Sequence, residues 1–399
     1  MRCSYHASII LNIDRENRGM GELENAMWIA IIGCLLAAFT AGLLFISFRA
    51  AEFNVVLRLT GGRRGAARLL CLAAFIALTA ALWLAWNMMN AVLCMVHLIV
   101  FWLLCDGVGC LAARLHRRTP RREAAGIAAI AICALYLAAG WYAVHHVWQT
   151  EYTLVTPKLN RPYRIVQISD SHIGATFDAE GFSRQIEKIN ALSPDIVVLT
   201  GDFVDDDTTR EDMLGGCEAL GGLKTTCGVF LVYGNHDRGY YSEEARGWSS
   251  AELRDALEAN GVDILEDAFC GVGDELIIAG RKDRSVEQRG GGRKTASELL
   301  SELDRTEYIV LLDHQPHDFD AEAAAGADLV LCGHTHGGQF IPINYVGEWI
   351  GENCLRYGHE KRLDTDFIVS SGISNWTFRF KTGCKSEYAV IDLAPAKEK

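Results

Sequence analysis

The sequence predicts an α/β domain with largely parallel strand pairing, set behind an all-α region of four membrane-spanning helices. Three observations carry this prediction. Four long apolar runs fill the front of the chain, charge is divided unequally between front and back, and strand-like runs alternate with helical patterns in the back half. Among its 399 residues, 13 Lys and Arg against 7 Asp and Glu lie up to Trp148, and 25 against 43 lie beyond it. The front therefore carries +6 and the back −18. So acidic a back half excludes a nucleic-acid backbone as its main partner, because such binding relies on many Lys and Arg contacts to phosphate.

After a tail over residues 1–25, the apolar runs cover about 26–48, 67–86, 91–113 and 124–144, within a membrane region of 26–148. Each is near the roughly 20 helical residues that cross a hydrocarbon core. Charges interrupt the short apolar run of the first 18 residues, so the first span is expected to stay as an anchor rather than be cleaved as a signal. The stretch Asn87-Met88-Met89-Asn90 leaves only a short turn between the second and third spans. Arg49, Arg58, Arg63, Arg64 and Arg68 follow the first span; Arg114, Arg117, Arg118, Arg121 and Arg122 follow the third. The positive-inside rule puts both loops in the cytoplasm and the back half on the extracytoplasmic side. Asp106 is the one carboxylate within a span and is a candidate for a role in transport or signalling. Six back-half cysteines (Cys217, Cys227, Cys270, Cys332, Cys354, Cys384) are free to pair in an oxidising compartment, but none has zinc-ligand spacing.

Residues 149–163 turn polar and hold two prolines, and read as a linker to a domain over 164–395. Its first strand runs from Arg164 to Ser169, followed by a helix near 182–192 and the strand Ile196–Thr200. A helix near 211–220 leads to Val229–Tyr233, and a helix near 251–259 to short strands near 263–265 and 275–279. A helix near 296–303 precedes Tyr308–Leu312, and a short helix precedes Asp328–Leu331. Phe367–Ser370 and Tyr388–Ile391 close the series.

Five of these strands end in residues able to bind a metal. Asp170 and His172 follow the first, Asp202 the second, and Asn235 and His236 the third; His314 follows the fourth, and His334 and His336 the fifth. One such ending means little, but in open α/β sheets the functional crevice lies at the carboxyl ends of strands, so five together mark one site. Gly201, Gly234 and Gly333 stand where the chain leaves its strands, allowing sharp exits and close backbone approach.

The motifs S-D-S-H, G-D-F-V-D, G-N-H-D, H-Q-P and G-H-T-H-G-G, in that order, resemble the calcineurin-like metallophosphoesterases. The resemblance covers about Arg164 to Leu393 and is closest to the membrane-anchored bacterial branch. It implies a two-layer β-sandwich flanked by helices, with two divalent metal ions at the strand ends. By resemblance, Asp170, His172 and His336 hold one ion, Asn235, His314 and His334 the other, and Asp202 bridges them. Mixed oxygen and nitrogen ligands suit Mn, Fe or Zn better than Ca. The reaction implied is hydrolysis of a phosphate mono- or diester, by water activated between the ions. His236 is then the candidate proton donor to the leaving alkoxide, and Asp205 the candidate to orient it; Asp237 is the local alternative to Asp205.

The basic, glycine-rich stretch Arg281–Lys294 reads either as a mobile surface loop or as a lid. In the second case Arg281, Arg284 and Arg289 contact substrate phosphate or an anionic membrane. His317 and His359 fall outside the motifs and read as surface histidines. A membrane-tethered site points to a phosphoester substrate that is lipid-linked. The resemblance extends to hydrolases of the UDP-2,3-diacylglucosamine pyrophosphate, although such a nucleotide-sugar conflicts with an extracytoplasmic domain. The reading from another class is a membrane sensor whose phosphoesterase-like domain binds without hydrolysing.

Overall fold

Where the sequence places its four apolar runs, four helices form. The computed structural model describes residues 29–341 and 343–396, so the tail expected over residues 1–25 lies outside them. The chain divides into two compact units, 1–135 and 136–399. Ile29–Ala50, Arg64–Ala85, Met88–Leu115 and Arg122–His145 are each long and apolar enough to cross a membrane. The third starts directly at Met88, because Asn87 caps it by accepting the Asn90 N–H at 2.8 Å. Inside the first unit Trp102 is fully buried, its ring 5.9 Å from that of Phe53 and 6.4 Å from that of Phe75. A Cβ on Gly126 would stand 2.6 Å from Trp102, so a small residue is required for this close approach. Asp106 is buried and ion-paired with Arg49 at 2.5 Å. This partner gives the intramembrane carboxylate a structural reason to be there.

The second unit is built on twelve strands: β1 (Val147–Thr156), β2 (Tyr163–Ile168), β3 (Ile196–Thr200), β4 (Val229–Val232), β5 (Val262–Ile264), β6 (Ala268–Val272), β7 (Leu276–Gly280), β8 (Tyr308–Leu312), β9 (Leu329–Cys332), β10 (Gly358–Arg362), β11 (Thr365–Val369) and β12 (Ser386–Pro395). They form two six-stranded sheets, ordered β1-β12-β2-β3-β4-β5 and β10-β11-β9-β8-β7-β6. The strands from β2 to β5 pair in parallel, as do β7, β8, β9 and β11. The sheets pack face to face with helices outside each, giving the two-layer sandwich flanked by helices.

Alternation along the buried strands explains the layering. Ile196 and Val198 of β3 meet Val310 and Leu312 of β8 and Leu329 and Leu331 of β9 in the core between the sheets. Val197 and Leu199 face the other way, onto Phe182, Ile186 and Leu253 of the outer helices. Ile309, Leu311 and Val330 do the same for the second sheet, against Leu299, Leu300 and Phe319. Strands covered on both faces read as continuous apolar runs, which is why they were legible.

The stretch read as a linker over 149–163 departs from expectation. Most of it is β1, paired in parallel with β12 along ten residues from Val147↔Ser386 to Thr156↔Pro395. Its residues alternate between exposed and part-buried or buried, an edge-strand pattern that its polarity and the two prolines after it disguise. All twelve described cysteines are free, so no disulfide occurs among the described residues.

Candidate metal centre

The two parallel sheet cores deliver their carboxyl ends to the same edge of the sandwich. Asp170 stands two residues beyond β2, Asp202 two beyond β3 and Asn235 three beyond β4; His314 and His334 each stand two beyond β8 and β9. Backbone bonds tie these exits together: Asp170 N–H donates to Gly201 O, His172 N–H to Asp202 O and Gly333 N–H to His314 O, at 2.9–3.0 Å.

The local backbone is strained at the candidate ligands themselves. Asp170, His172, Asp202, His334 and His336 all have positive φ, between 38° and 71°. For side-chain-bearing residues this conformation costs about 1 kcal/mol or more each, and it persists where surrounding structure enforces it for function. The glycines allow the crowding. A Cβ on Gly201 would meet the His314 ring at 2.5 Å, and one on Gly234 or Gly333 would collide with the Asp202 carboxylate or the Ser169 hydroxyl.

Two groups of ligand atoms result, Asp170 with His172 and His336, and Asp202 with His314 and His334; within each, the atoms lie within 4.8 Å of one another. Asp202 stands between them: its Oδ2 is 3.1 Å from His314 Nε2 and 3.7 Å from His172 Nε2. Asn235 Oδ1 joins the second group, 3.2 Å from His314 Nε2. His314 Nδ1 is 2.7 Å from the Thr200 carbonyl, which can only accept, so Nδ1 carries a proton and Nε2 faces the site. His172 Nε2 and His336 Nδ1 are buried without hydrogen-bond partners. Orphaned imidazole nitrogens beside carboxylates are what a pair of divalent ions would satisfy, and this donor set fits them.

The electrostatics agree with a cation-binding site. Burial would raise Asp202, but the charges of His314 and His172 and the hydrogen bond from His314 hold it well below the usual carboxylate range. Burial opposes protonation of His314, yet Asp202 and Asp170 drive it well above the ordinary histidine value. Burial, then the charge on His314, pushes His334 down to about 4.

His236 lies beside the first group, its ring 5.1 Å from His172 and 5.2 Å from Trp376. It opens onto a pocket of about 380 Å³, lined also by Asp205, Asp206, Tyr240, Tyr241 and Trp376. Burial, more than any charge, lowers its pKa. Asp205 departs from the role expected of it. Its Oδ1 accepts the Asp207 N–H of its own turn, and its Oδ2 is 3.2 Å from Nδ1 of His172 rather than at His236. Asp205 therefore stands against a candidate ligand, at ion-pair distance. Asp206 accepts the Tyr240 and Tyr241 N–H groups, so this acidic run is structured rather than merely solvated.

Asp237 does not orient His236 either. Its buried carboxylate accepts the N–H groups of Asp202, Val204 and Gly234 at 2.9, 3.0 and 2.7 Å, clamping the β3 and β4 exits together. Sequence reasoning missed this brace; its signal was a carboxylate directly after the G-N-H stretch.

The basic stretch is likewise different from expectation. Arg281 is buried, and its Nη1 lies 2.8 Å from Asp313, 3.0 Å from Asp318 and 3.2 Å from Glu322. Arg293 joins the same cluster at 2.5 Å from Asp313. With Arg284 paired to Glu352 at 2.7 Å, the segment is pinned, and its first two arginines are unavailable to substrate. Only Arg289 of the three reaches the site, stacked 5.0 Å over the Tyr240 ring whose hydroxyl accepts from Asn235 at 2.9 Å. His317 and His359 lie apart from the centre, against Glu352 and Asp366.

The family model described as calcineurin-like phosphoesterase matches residues 163–338, the stretch that supplies every candidate ligand. An uncharacterised metallophosphoesterase of Aquifex aeolicus is 33% identical over 200 residues, which are 49% of this chain and 72% of that one. One of Campylobacter jejuni is 28% identical over 242 residues, 60% of this chain and 62% of that one. A zebrafish (Danio rerio) transmembrane protein with metallophosphoesterase domain is 32% identical over 194 residues, 46% of this chain and 42% of that one. The chain thus spans less than two thirds of the length of these last two relatives. With both its motif-bearing strand ends and its Aquifex relative in agreement, the chain is a member of the calcineurin-like metallophosphoesterase family.

Proposed function

We propose that this protein is a membrane-anchored phosphoesterase that hydrolyses phosphate mono- or diesters at a centre of two divalent ions, with lipid-linked phosphates as its substrate class. The observation that carries the reading is the position of Asp202 Oδ2, between His172 of one ligand group and His314 of the other. Asp170, His172 and His336 would hold one ion, Asn235, His314 and His334 the second, and Asp202 both. When bound, Mn, Fe or Zn ions supply Lewis acidity, offsetting phosphoryl charge and making a water acidic enough to attack near neutral pH.

The chain's own residues do the rest. Asp237 fixes the backbone that carries Asp202 and Asn235, and the Asp205 carboxylate lies against the His172 ring. His236 lines the pocket, where its ring can present a proton to a leaving oxygen. Burial disfavours its charged form, and an anionic phosphate beside it would oppose that effect. Arg289, above Tyr240, supplies a positive charge at the rim.

The four apolar helices would cross the membrane, ending near His145, with the catalytic domain running from Val147 to Pro395 on the extracytoplasmic side. The transmembrane character named for the zebrafish relative supports the membrane spans; the side rests on the arginine-rich loops alone. The test is hydrolysis of bis(p-nitrophenyl) phosphate by the full chain in detergent, stripped with chelator and resupplied with Mn, Fe or Zn. Turnover that disappears with the metal and returns with it is expected. A folded, metal-loaded protein inert with all three ions would instead support a binding protein.

A further inference from the structure

Between β9 and β10 the chain exposes apolar side chains that the domain core does not need. Ile341 is 53% exposed, Tyr345 42%, Trp349 73% and Ile350 72%. The segment is nonetheless built: Trp349 stacks on Tyr345 at 6.0 Å, and Arg356 lies 4.1 Å over the other ring while donating to Gly337 O. Its two carboxylates are both paired, Glu348 accepting the Arg356 N–H and the half-exposed Glu352 meeting Arg284. Among the described residues, the exposed apolar and aromatic side chains of this face have no such partners beyond the Tyr345, Trp349 and Arg356 stack.

A chain of contacts within the second unit says what meets that face. Gly140 belongs to the last apolar helix, five residues before its end at His145, or about 8 Å along the axis. Its neighbours Trp141 and Tyr142 are exposed, the aromatic pair that collects at membrane–water interfaces. Gly140 O accepts the Lys381 N–H at 3.0 Å, and a Cβ there would press on Lys381 and Thr382. Thr382 N–H donates in turn to Gln339 O at 2.8 Å, and Thr382 Oγ1 accepts the Ile341 N–H at 3.2 Å. The exposed face thus begins two contacts away from the interfacial turn of a membrane helix. It also adjoins the candidate site: His336 lies five residues before Ile341, and Trp376, against His236, lies on the same loop as Lys381.

We propose that Ile341, Tyr345, Trp349 and Ile350 seat the catalytic domain in the surface of the lipid bilayer. The His236 pocket would then receive a phosphate borne by a lipid headgroup without that lipid leaving the membrane. The proposal rests on the membrane-spanning reading of the apolar helices. A second copy of the chain is the competing occupant, but it offers no reason for the face to adjoin the interfacial turn at Gly140.

The test uses the full chain in phosphatidylcholine nanodiscs, with p-benzoylphenylalanine replacing Trp349, Leu135 or Phe269 in turn. Leu135 is an exposed position of the last span, and Phe269 an exposed apolar residue of edge strand β6. After irradiation, mass spectrometry reads lipid adducts on each protein, and bis(p-nitrophenyl) phosphate hydrolysis is followed on the same samples. Lipid adducts at 349 and 135 with none at 269 are expected. Adducts at 135 but not at 349 would overturn the seat while leaving the spans intact. Equal labelling at 269 and 349, or cross-linking of 349 to a second chain, would also overturn it. Absence of adducts at both 135 and 349 would remove the spanning reading and the seat with it. Hydrolysis, read separately, reports on the phosphoesterase reading alone.

Discussion

Replacing Asp237 by Asn should damage both the fold and the metal centre without removing a ligand. Oδ2 accepts from Asp202 and Gly234 while Oδ1 accepts from Val204, and the carboxylate is 1% exposed. Asn has one acceptor. Placed to keep two bonds, it turns its own NH2 against the Val204 N–H; placed the other way it abandons two. Each buried N–H left unmet costs about 1–3 kcal/mol, so a loss of about 2–4 kcal/mol is expected. For a domain of this size that is a fall of about 5–15 °C in the midpoint of thermal unfolding. Because the lost bonds hold the backbone of Asp202 and Gly234, metal affinity should fall about 10–100-fold, as it does when the partners behind a ligand are removed. Thermal unfolding of the full chain in detergent with excess chelator reads the first effect, and competition with a metal indicator dye the second. An Asp237→Asn protein with unchanged midpoint and unchanged affinity would refute the clamp.

Other consequences follow from the same geometry. His236→Ala should retain its metal and lose about 10²–10⁴-fold in turnover on alkyl esters with poor leaving groups, with a smaller loss on nitrophenyl esters; equal losses would deny it the proton-donor role. His314 is raised well above the ordinary histidine value and so is protonated in the metal-free site at neutral pH, whereas His334, pushed down to about 4, is already neutral. His172 is raised as well, against its burial, by Asp205 and Asp202, so metal uptake at pH 7 should expel protons from these imidazoles and affinity should rise with pH; titration in buffers of differing ionisation enthalpy would show no proton release if the assignment is wrong. Arg281→Ala should destabilise the fold by about 3–5 kcal/mol by stranding buried carboxylates. Arg289→Ala should leave the unfolding midpoint in place and raise KM about tenfold or more, and the reverse pattern would restore Arg281 as the substrate contact.

The candidate ligands were legible as a cluster because each follows a strand covered on both faces, and such strands are written as unbroken apolar runs. Edge strands are not. β1 is half polar, β10 reads Gly-His-Glu-Lys-Arg, and both escaped because only one face of each meets the core. Arg281 was misread for a different reason: its partners Asp313, Asp318 and Glu322 lie 32 to 41 residues along the chain, and a basic run looks solvated until they are in place. Asp205 and Asp237 were both named as partners of His236, and both serve other groups. Sequence order brings a carboxylate to the site, but which nitrogen or N–H it faces is decided by turns such as the one that ties Asp205 Oδ1 to Asp207.

The central claim is that one carboxylate, Asp202, holds two ions at once. Elemental analysis of the full-length wild type and of Asp202→Asn, each metal-loaded, desalted and assayed in parallel, tests it most directly. About two divalent ions per wild-type chain are predicted, as in two-metal hydrolases, with occupancy of both positions reduced and turnover abolished in the variant. An Asp202→Asn protein that keeps both ions and hydrolyses at the wild-type rate would contradict the account.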